Sequence, residues 1–231
     1  MSARGVEDQK RRAAEAALPL VKEGMIVGLG TGSTVRYFIE ALGDMAMDGF
    51  EVKGVPTSIA TANFAKEHGI ALTSLEESPR IDLTVDGADE VGPKLALVKG
   101  GGGALFREKI VAAAAKRFVV VVDASKLVRR LGERAAVPAE VSPFGWRVSK
   151  ARLEALGCAA TLRQEGDQAV RTDNGNYLLD CTFRAIRDPP KLERDMKTVP
   201  GVIESGLFVD MADLVLVGGP KGVRRLTRAR S

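Results

Sequence analysis

The feature that most constrains the fold is a repeated pairing of a short apolar run with an amphipathic helix. The run Met25 to Leu29 precedes the segment TVRYFIEALGDM, whose apolar residues recur at the spacing of one helix face, and the runs LTV, LALV, FVVVV and LVLV recur later. Strands that are apolar throughout are buried on both faces, which is typical of parallel sheets covered by helices. The alternation therefore predicts an α/β fold with a Rossmann-like parallel sheet.

The pattern changes near Leu131. A proline-rich stretch, VPAEVSPFGW, is interpreted as a crossing, and a helix, two strands around a turn at Asn174-Gly175, and a proline-started helix follow. The late run LVLVGG is expected to rejoin the first sheet. We therefore predict a Rossmann-like catalytic domain of residues 1–131 and 207–231, with a smaller α+β domain of residues 132–206 inserted before the last strand.

Composition excludes several classes of protein. Apolar residues make up 45% and charged residues 28% of the 231 residues, which is typical of a globular chain rather than a disordered one. No apolar run is long enough to span a membrane, and no signal peptide is visible, so a cytoplasmic protein is expected. Two cysteines without metal-ligand spacing fit a reducing compartment and predict no metal site.

The net charge of +4 arises largely at the C-terminus. We interpret this end as a frayed, solvated tail, because no aromatic residues alternate with its cations to stack on bases, so no nucleic-acid partner is expected. The basic residues are Lys221, Arg224, Arg225, Arg228 and Arg230.

The glycine-rich turn GLGTGST follows the first predicted strand. Glycines let the backbone approach a ligand closely, hydroxyl groups follow, and the next helix directs its positive end toward the same place, which favours a phosphate. A dinucleotide is disfavoured because the third glycine comes one residue early and the next strand end, KGVPTS, lacks an acid. The alternative is a tight turn with a hydroxyl helix cap.

Four consecutive glycines follow Lys99, and Glu108 lies in the helix that comes next. Adjacent glycines weaken regular structure, so the run indicates that backbone amides are needed to bind an oxyanion. The helical neighbours of Glu108 are Val111, Ala112 and Ala115, which places this carboxylate on the apolar face of its helix. It is either kept for chemistry or held in a structural ion pair.

Two further strand ends carry charge. Asp86 and Asp89 flank a glycine in VDGADE, where carboxylates can bind Mg²⁺, hydrogen-bond sugar hydroxyls or cap a turn. Lys126 in DASK is either a cation for a phosphate or carboxylate, or an ordinary surface lysine. The single histidine, His68, lies at a predicted helix end, so acid–base chemistry here is expected to use carboxylates and lysine.

Together, GLGTGST, VDGADE, KGGGGALFREK and VVDASKLV, in this order, resemble the ribose-5-phosphate isomerases of the A type. The late segments TDNGNYLLD, VPGVIESGLF and ADLVLVG are also similar, so the resemblance covers nearly the whole chain. It implies reversible conversion of D-ribose 5-phosphate to D-ribulose 5-phosphate in the non-oxidative pentose phosphate pathway. It further implies no metal or other cofactor, and a homodimer.

The resemblance also implies roles for particular residues. Glu108 is the proton-transferring base, with Asp86 and Lys99 as its catalytic partners. The residues implied to bind the substrate are Thr31, Gly32, Ser33 and Thr34 with Lys126, mainly at the phosphate, and Asp86, Gly87, Ala88, Asp89, Lys99, Gly100, Gly101 and Gly102 along the sugar.

Three rival functions differ in what they require. A non-catalytic effector-binding domain, as in sugar-responsive repressors, would be joined to a helix-turn-helix segment, which this sequence lacks, and would not need Glu108. An amino-sugar-phosphate deaminase would need a catalytic histidine, and His68 is unsuitably placed. A magnesium-dependent phosphatase is indicated only by the acid cluster.

Overall fold

The computed structural model describes residues 3–228. Its α-helices are α1 (Ala3–Glu15), α2 (Ser33–Met47), α3 (Ile59–Glu67), α4 (Leu105–Ala114), α5 (Trp146–Glu154) and α6 (Pro189–Lys197). Its strands are β1 (Ile26–Leu29), β2 (Lys53–Pro56), β3 (Ala71–Leu72), β4 (Leu83–Asp86), β5 (Glu90–Val91), β6 (Leu97–Val98), β7 (Phe118–Asp123), β8 (Val137–Val141), β9 (Cys158–Leu162), β10 (Gln164–Glu165), β11 (Gln168–Ala169), β12 (Tyr177–Phe183), β13 (Val202–Ser205), β14 (Leu207–Phe208), β15 (Leu214–Gly219) and β16 (Gly222–Thr227).

Contacts between residues group the chain into two compact units. Unit 1 comprises the chain up to Ala88, Arg107–Lys126, and the chain from Met211 onward, and unit 2 comprises Asp89–Phe106 and Leu127–Asp210. The sequence-based division into domains at residues 131 and 206 stays a prediction. None of the helices among residues 3–228 is long and apolar enough to cross a membrane.

Unit 1 is built on a seven-stranded sheet in the order β16-β15-β7-β4-β1-β2-β3. All neighbours pair in parallel except the edge strand β16, which pairs antiparallel with β15. The predicted Rossmann-like α/β fold is confirmed, and the run LVLVGG does rejoin the first sheet as β15.

Alternate residues of the central strands pack against helices on opposite faces. Val27 and Leu29 join a buried cluster with Phe38 of α2. The intervening Gly28 faces the other way, where an added Cβ would lie 2.6 Å from a methyl carbon of Val111 in α4. Only a glycine lets α4 lie this close to the sheet, since real Cβ contacts are longer.

Two further contacts hold elements of unit 1 together. Gly218 in β15 lies against α1 so closely that a Cβ would come within 1.9 Å of the Gln9 carbonyl oxygen. Asp82, just before β4, accepts hydrogen bonds from Lys116 Nζ at 2.8 Å and from the amide of Ile26 at 3.0 Å. Lys116 first, and then the Ile26 amide, lower the pKa of Asp82 below its usual value.

Unit 2 contains a four-stranded antiparallel sheet in the order β13-β8-β12-β9, with α5 and α6 packed on it. Its core includes Ala139 of β8, Leu179 of β12 and Met196 of α6, all fully buried. A three-stranded sheet, β14-β6-β5, and the short β10-β11 hairpin complete this α+β unit.

Three sequence expectations about secondary structure are wrong. The segment VPAEV is not a crossing but the buried strand β8, where Pro138 lies beyond the last residue pair with β13 and needs no amide hydrogen there. The apolar run before the glycines forms β6, which pairs antiparallel with β5 and β14 and does not join the parallel sheet.

The third wrong expectation concerns the basic C-terminal segment. Its residues Gly222–Thr227 are not frayed, because their backbone pairs with β15 as strand β16, although the Arg224 and Arg225 side chains are exposed as expected. Arg228 donates a hydrogen bond to the Ala212 carbonyl at 3.2 Å. Arg230 lies outside the described residues.

Candidate active site

The carboxyl ends of four neighbouring strands of unit 1 carry polar residues. In sheet order β7-β4-β1-β2, these ends lead to Lys126, Asp86, Thr31 and the pair Thr57-Ser58. Ligands of open α/β sheets bind at the carboxyl ends of the strands. Lys126 is half-buried at the end of the short helical turn Ala124–Lys126.

A cluster of hydroxyl groups surrounds Thr31. Its Oγ1 lies 2.8 Å from Thr57 Oγ1, 2.9 Å from Ser58 Oγ and 2.9 Å from Thr61 Oγ1, and Thr61 also donates to the Gly30 carbonyl. These contacts connect the glycine turn GLGTGST to the end of β2 and to the start of α3. The sequence interpretation missed these partners, because it examined KGVPTS only for an acid.

The helix that follows the turn begins without a side-chain cap. Gly32 is the N-cap of α2 with φ 137°, a conformation that favours glycine, and no side chain caps the helix amides. Gly32 and Ser33 are exposed, whereas Thr34 is buried. The alternative of a simple hydroxyl-capped turn is thus not what forms, and the helix start remains available to an anion.

Asp86 is fully buried and joins its own turn to the glycine turn. Its Oδ1 accepts hydrogen bonds from the amide of Thr31 at 3.1 Å and from the amide of Gly87 at 2.7 Å. A Cβ on Gly30 would lie 2.1 Å from this oxygen, so the approach requires glycine. Gly87 and Ala88 follow as half-buried residues.

Glu108 lies in the first turn of α4 and is only 3% exposed. The prediction that it projects from the apolar side of its helix is confirmed. Val111, one turn later, packs in a buried cluster with Val55 and Ile81. At this low exposure the Glu108 carboxylate is largely desolvated.

In unit 2, the glycine loop after β6 begins with a buried lysine. Lys99 is 2% exposed, its Nζ lies 5.5 Å from the centre of the Phe208 ring, and its amide donates to the Gly206 carbonyl at 2.8 Å. Gly100 and Gly103 have φ values of 103° and 83°, which only glycine adopts without strain.

Two of the loop amides already have acceptors. Gly101 donates to Asp89 Oδ2 at 2.8 Å, and Gly103 donates to the Gly100 carbonyl at 3.0 Å. In the part of the chain that the structure describes, the amides of Gly100 and Gly102 donate to no protein group. Donors for an oxyanion therefore remain at these two positions.

Arg163, which the sequence interpretation missed, holds the other side of this loop. Its Nη1 donates to the carbonyl oxygens of Gly100 and Gly101, both at 3.0 Å. Its Nε and Nη2 donate to the two carboxylate oxygens of Asp180, the former at 2.9 Å. No local pattern marks Arg163, because it meets the loop only through the pairing of β9 with β12.

The third acid of VDGADE has a purely structural position. Glu90 is 1% exposed, and its carboxylate accepts hydrogen bonds from the amides of Gly132, Arg134 and Ala135 at 2.6 to 2.8 Å. The three acids therefore have different partners. Asp86 accepts hydrogen bonds at the glycine turn, Asp89 accepts one from the glycine loop, and Glu90 accepts them from a loop of unit 2.

Fold and strand ends together define a Rossmann-like α/β protein whose parallel strands end in a glycine turn, the start of a helix and the buried carboxylate of Asp86. A family model described as ribose 5-phosphate isomerase A (phosphoriboisomerase A) matches residues 53–222. Because this match spans most of the sequence and close relatives agree, the chain belongs to the ribose 5-phosphate isomerase A family.

Similar proteins cover nearly the full chain. The ribose-5-phosphate isomerase A of Thermomicrobium roseum is 52% identical over 229 residues, which are 98% of this chain and 97% of that protein. Ribose-5-phosphate isomerase A 1 of Oceanobacillus iheyensis is 50% identical over 210 residues, 90% of this chain and 93% of that protein. A solved D-ribose-5-phosphate isomerase in complex with phospho-erythronic acid matches with a TM-score of 0.94 and 44% identity, over 96% of this chain and 99% of that one.

Proposed function

We propose that the chain interconverts D-ribose 5-phosphate and D-ribulose 5-phosphate through an enediolate, with Glu108 as the base that moves the proton. The observation that carries this assignment is the buried carboxylate of Glu108 on the helix after the glycine loop, in a chain of this family. The enzyme is thus an intramolecular oxidoreductase.

The reaction moves one hydrogen between neighbouring carbons. In the open-chain aldose, the Glu108 carboxylate removes the proton from C2, and the electron pair shifts to give the enediolate with charge on the C1 oxygen. The same carboxyl group then returns the proton to C1, while the proton of the C2 hydroxyl passes to the C1 oxygen, which leaves a ketone at C2 and a hydroxyl at C1. A single carboxylate on one face of the intermediate suffices for both transfers.

The charge that develops on oxygen requires donors that are already in position. Lys99 supplies a cation, and the amides of Gly100 and Gly102 supply neutral donors, so we assign these groups to the enediolate. Fixed donors of this kind act because they need no reorganisation during the reaction, and losing one costs about 10² to 10³ in rate. Asp86 and Asp89 are assigned to the sugar hydroxyls, with Asp86 moving a hydroxyl proton.

Arg163 is a positioning residue in this scheme and does not itself contact the sugar. By binding the carbonyl oxygens of Gly100 and Gly101, it fixes the peptide planes that carry the amides of Gly101 and Gly102, and the Gly102 amide is one of the donors assigned to the enediolate. Its orientation is in turn set by the two-bond contact with Asp180.

The phosphate is assigned to the glycine turn Thr31–Thr34 and to Lys126. The start of α2, without a side-chain cap, offers amides and the positive end of a 15-residue helix. The phosphorylated acid bound to the similar isomerase carries a carboxylate as well as a phosphate, and we infer that it binds this chain as an inhibitor. We also propose that the enzyme works as a cytoplasmic homodimer.

The position of His68 argues against the deaminase. Helix α3 starts beside the end of β2 at Ser58 and runs for nine residues before His68. At 1.5 Å per residue, this histidine lies about 14 Å along the axis from the strand-end edge. Its Nδ1 is 2.8 Å from the Phe64 carbonyl oxygen.

The decisive experiment combines turnover with isotope exchange. Protein treated with EDTA should convert ribose 5-phosphate to the ketopentose, and in D₂O it should exchange the C2 hydrogen. Glu108→Gln should bind ribose 5-phosphate within a few-fold of the wild type but lose the exchange, whereas Glu67→Gln, on an exposed position of α3, should retain it.

Each rival predicts a different result in the same assay. Binding of ribose 5-phosphate without turnover by the wild type would support the effector-binding domain. Turnover that stops in EDTA would support a magnesium enzyme. Exchange that persists in Glu108→Gln would show that another group is the base.

A further inference from the structure

A concave region lies wholly within unit 2. It is a cavity of about 760 Å³, bounded by residues 93–94, 96, 129–131, 186–190 and 209–210. None of these residues belongs to the glycine turn, the acid motif or the glycine loop. We call this region the basic cavity.

Four cations line the basic cavity, namely Lys94, Arg129, Arg130 and Arg187. Among the described residues, none of these four side chains forms an ion pair or hydrogen bond with the protein. Four like charges around one concavity repel each other, and an anion in the cavity relieves that repulsion.

Two carboxylates share the lining and do not neutralise it. Asp188 is the N-cap of α6, and its Oδ1 accepts a hydrogen bond from the amide of Lys191 at 3.0 Å. Asp210 is the second acid. The lining thus keeps two more positive than negative charges, and the amino end of the nine-residue helix α6 adds to the positive potential.

The backbone around the cavity is strained. Within residues 3–228, the only non-glycine residues with positive φ are Lys94 at 57°, Leu95 at 59° and Asp210 at 55°. Two of them line the cavity, and the third is adjacent in sequence. Such conformations cost about 1–3 kcal/mol each and cluster at binding sites, where they orient groups toward a ligand.

The remaining lining of the basic cavity is apolar, which favours an organic anion over an inorganic one. Ala96, Leu131, Ile186 and Val209 contribute side chains next to the cations, together with three prolines. The volume lies within the range of about 300–1,000 Å³ that holds a whole small organic molecule. An inorganic ion would leave most of this space and the apolar wall without contacts.

We propose that the basic cavity binds an organic anion that has two or more phosphate groups and an apolar ring, such as a nucleoside polyphosphate. The phosphates bind the lysine and arginines, and the ring packs on the apolar wall. This site is separate from the residues assigned to the isomerase reaction and does not depend on that assignment.

Calorimetry with ATP in the absence of divalent metal tests the proposal. The full chain should bind ATP saturably with one site per chain, and saturating ribose 5-phosphate should leave the affinity unchanged. The double variant Arg129→Gln/Arg130→Gln, or Arg187→Gln, should bind about tenfold or more weakly, since charge-assisted hydrogen bonds to phosphate are lost. The control Arg152→Gln, at an exposed position of α5 outside the cavity, should bind within about twofold of the wild type.

Several outcomes would overturn the proposal. These are no saturable binding of ATP, equal loss of affinity in the control, displacement of ATP by ribose 5-phosphate, or adenosine binding as tightly as ATP. The changed side chains are exposed, so retained melting temperatures would confirm that the variants fold. If the variants instead changed the oligomeric mass while ATP bound nowhere, the basic cavity would be an interface between chains.

Discussion

Truncating Arg163 to alanine removes the contacts that fix the glycine loop, and the expected result is a slower chemical step with nearly unchanged substrate affinity. The guanidinium group binds two loop carbonyls and both oxygens of Asp180, and its side chain is 19% exposed. None of these contacts involves the groups assigned to the phosphate. The loss should therefore appear in kcat rather than in KM.

The size of the effect follows from the number of bonds. Each carbonyl bond is donated by a charged group, and such bonds contribute about 1.5–3 kcal/mol. Because the Arg163 side chain is partly exposed, water can replace one of the two hydrogen bonds to the loop carbonyls. The free energy lost is therefore about that of one such bond. At 1.36 kcal/mol for each factor of ten, kcat should fall by about 10- to 100-fold.

The assay compares steady-state kinetics of variants that differ at one arginine. Arg171→Ala is the matched control, because Arg171 also donates to a glycine carbonyl, that of Gly175 at 2.8 Å, and stacks on Tyr177. Arg171→Ala should keep kcat within about twofold. Arg163→Lys should retain more activity than Arg163→Ala, since a lysine can reach one carbonyl but cannot bind Asp180 in the same two-bond geometry.

Two results would contradict the role given to Arg163. If Arg163→Ala kept wild-type kcat, the loop would not need this contact. If kcat fell only in proportion to the folded fraction measured by circular dichroism, the residue would be merely structural. An inactive wild type would instead refute the isomerase assignment, so the two failures are distinguishable.

Two further predictions concern the stability of unit 1. Asp82→Asn should lower the free energy of unfolding by about 0.5–1 kcal/mol at pH 7, because the pair with Lys116 is largely exposed. Since the pKa of Asp82 is lowered in the folded state, its contribution is present above the unfolded value near 4 and is lost as the carboxylate is protonated, so urea titrations should show the difference shrinking below about pH 4. Gly218→Ala should destabilise the fold by about 1–3 kcal/mol, because the new Cβ meets the Gln9 carbonyl in α1. The control Gly219→Ala, whose nearest contact would be 3.5 Å away, should change the melting temperature little, and an equal loss in both variants would show that the clash with α1 is not the cause.

The parallel sheet was predictable because its signal is local and strong. Strand β7 presents six consecutive buried residues, and α2 has its buried side chains on one face. The burial of Glu108 was predictable for the same reason, since its neighbours three and four positions on are apolar. Sequence reasoning succeeds where the periodicity of apolar residues within one segment determines which of its side chains are buried.

The antiparallel strands of unit 2 were harder to predict because they are decided by distant partners. Strands β5, β6 and β14 are two residues long each, which is too short for any periodic pattern. In β8, a proline suggested a break, yet its position beyond the pairs with β13 makes it harmless. Arg163 meets the glycine loop across more than 60 residues of chain, and nothing near it in sequence indicates that contact.

The acid motif shows why position, rather than acid count, decides function here. Asp86 Oδ1 accepts the amide of Thr31, so the residue assigned to the reacting end of the sugar is bonded directly to the turn assigned to the phosphate. A phosphate that binds the turn at Thr31 is therefore connected to Asp86 by a single hydrogen bond of 3.1 Å, and it can orient the Asp86 carboxylate through that bond. Gly30 keeps this distance short, because any side chain there would collide with the carboxylate. Binding energy from the unreactive phosphate can in this way be used to orient a group at the reacting carbons, as expected of an enzyme that gains rate from remote contacts.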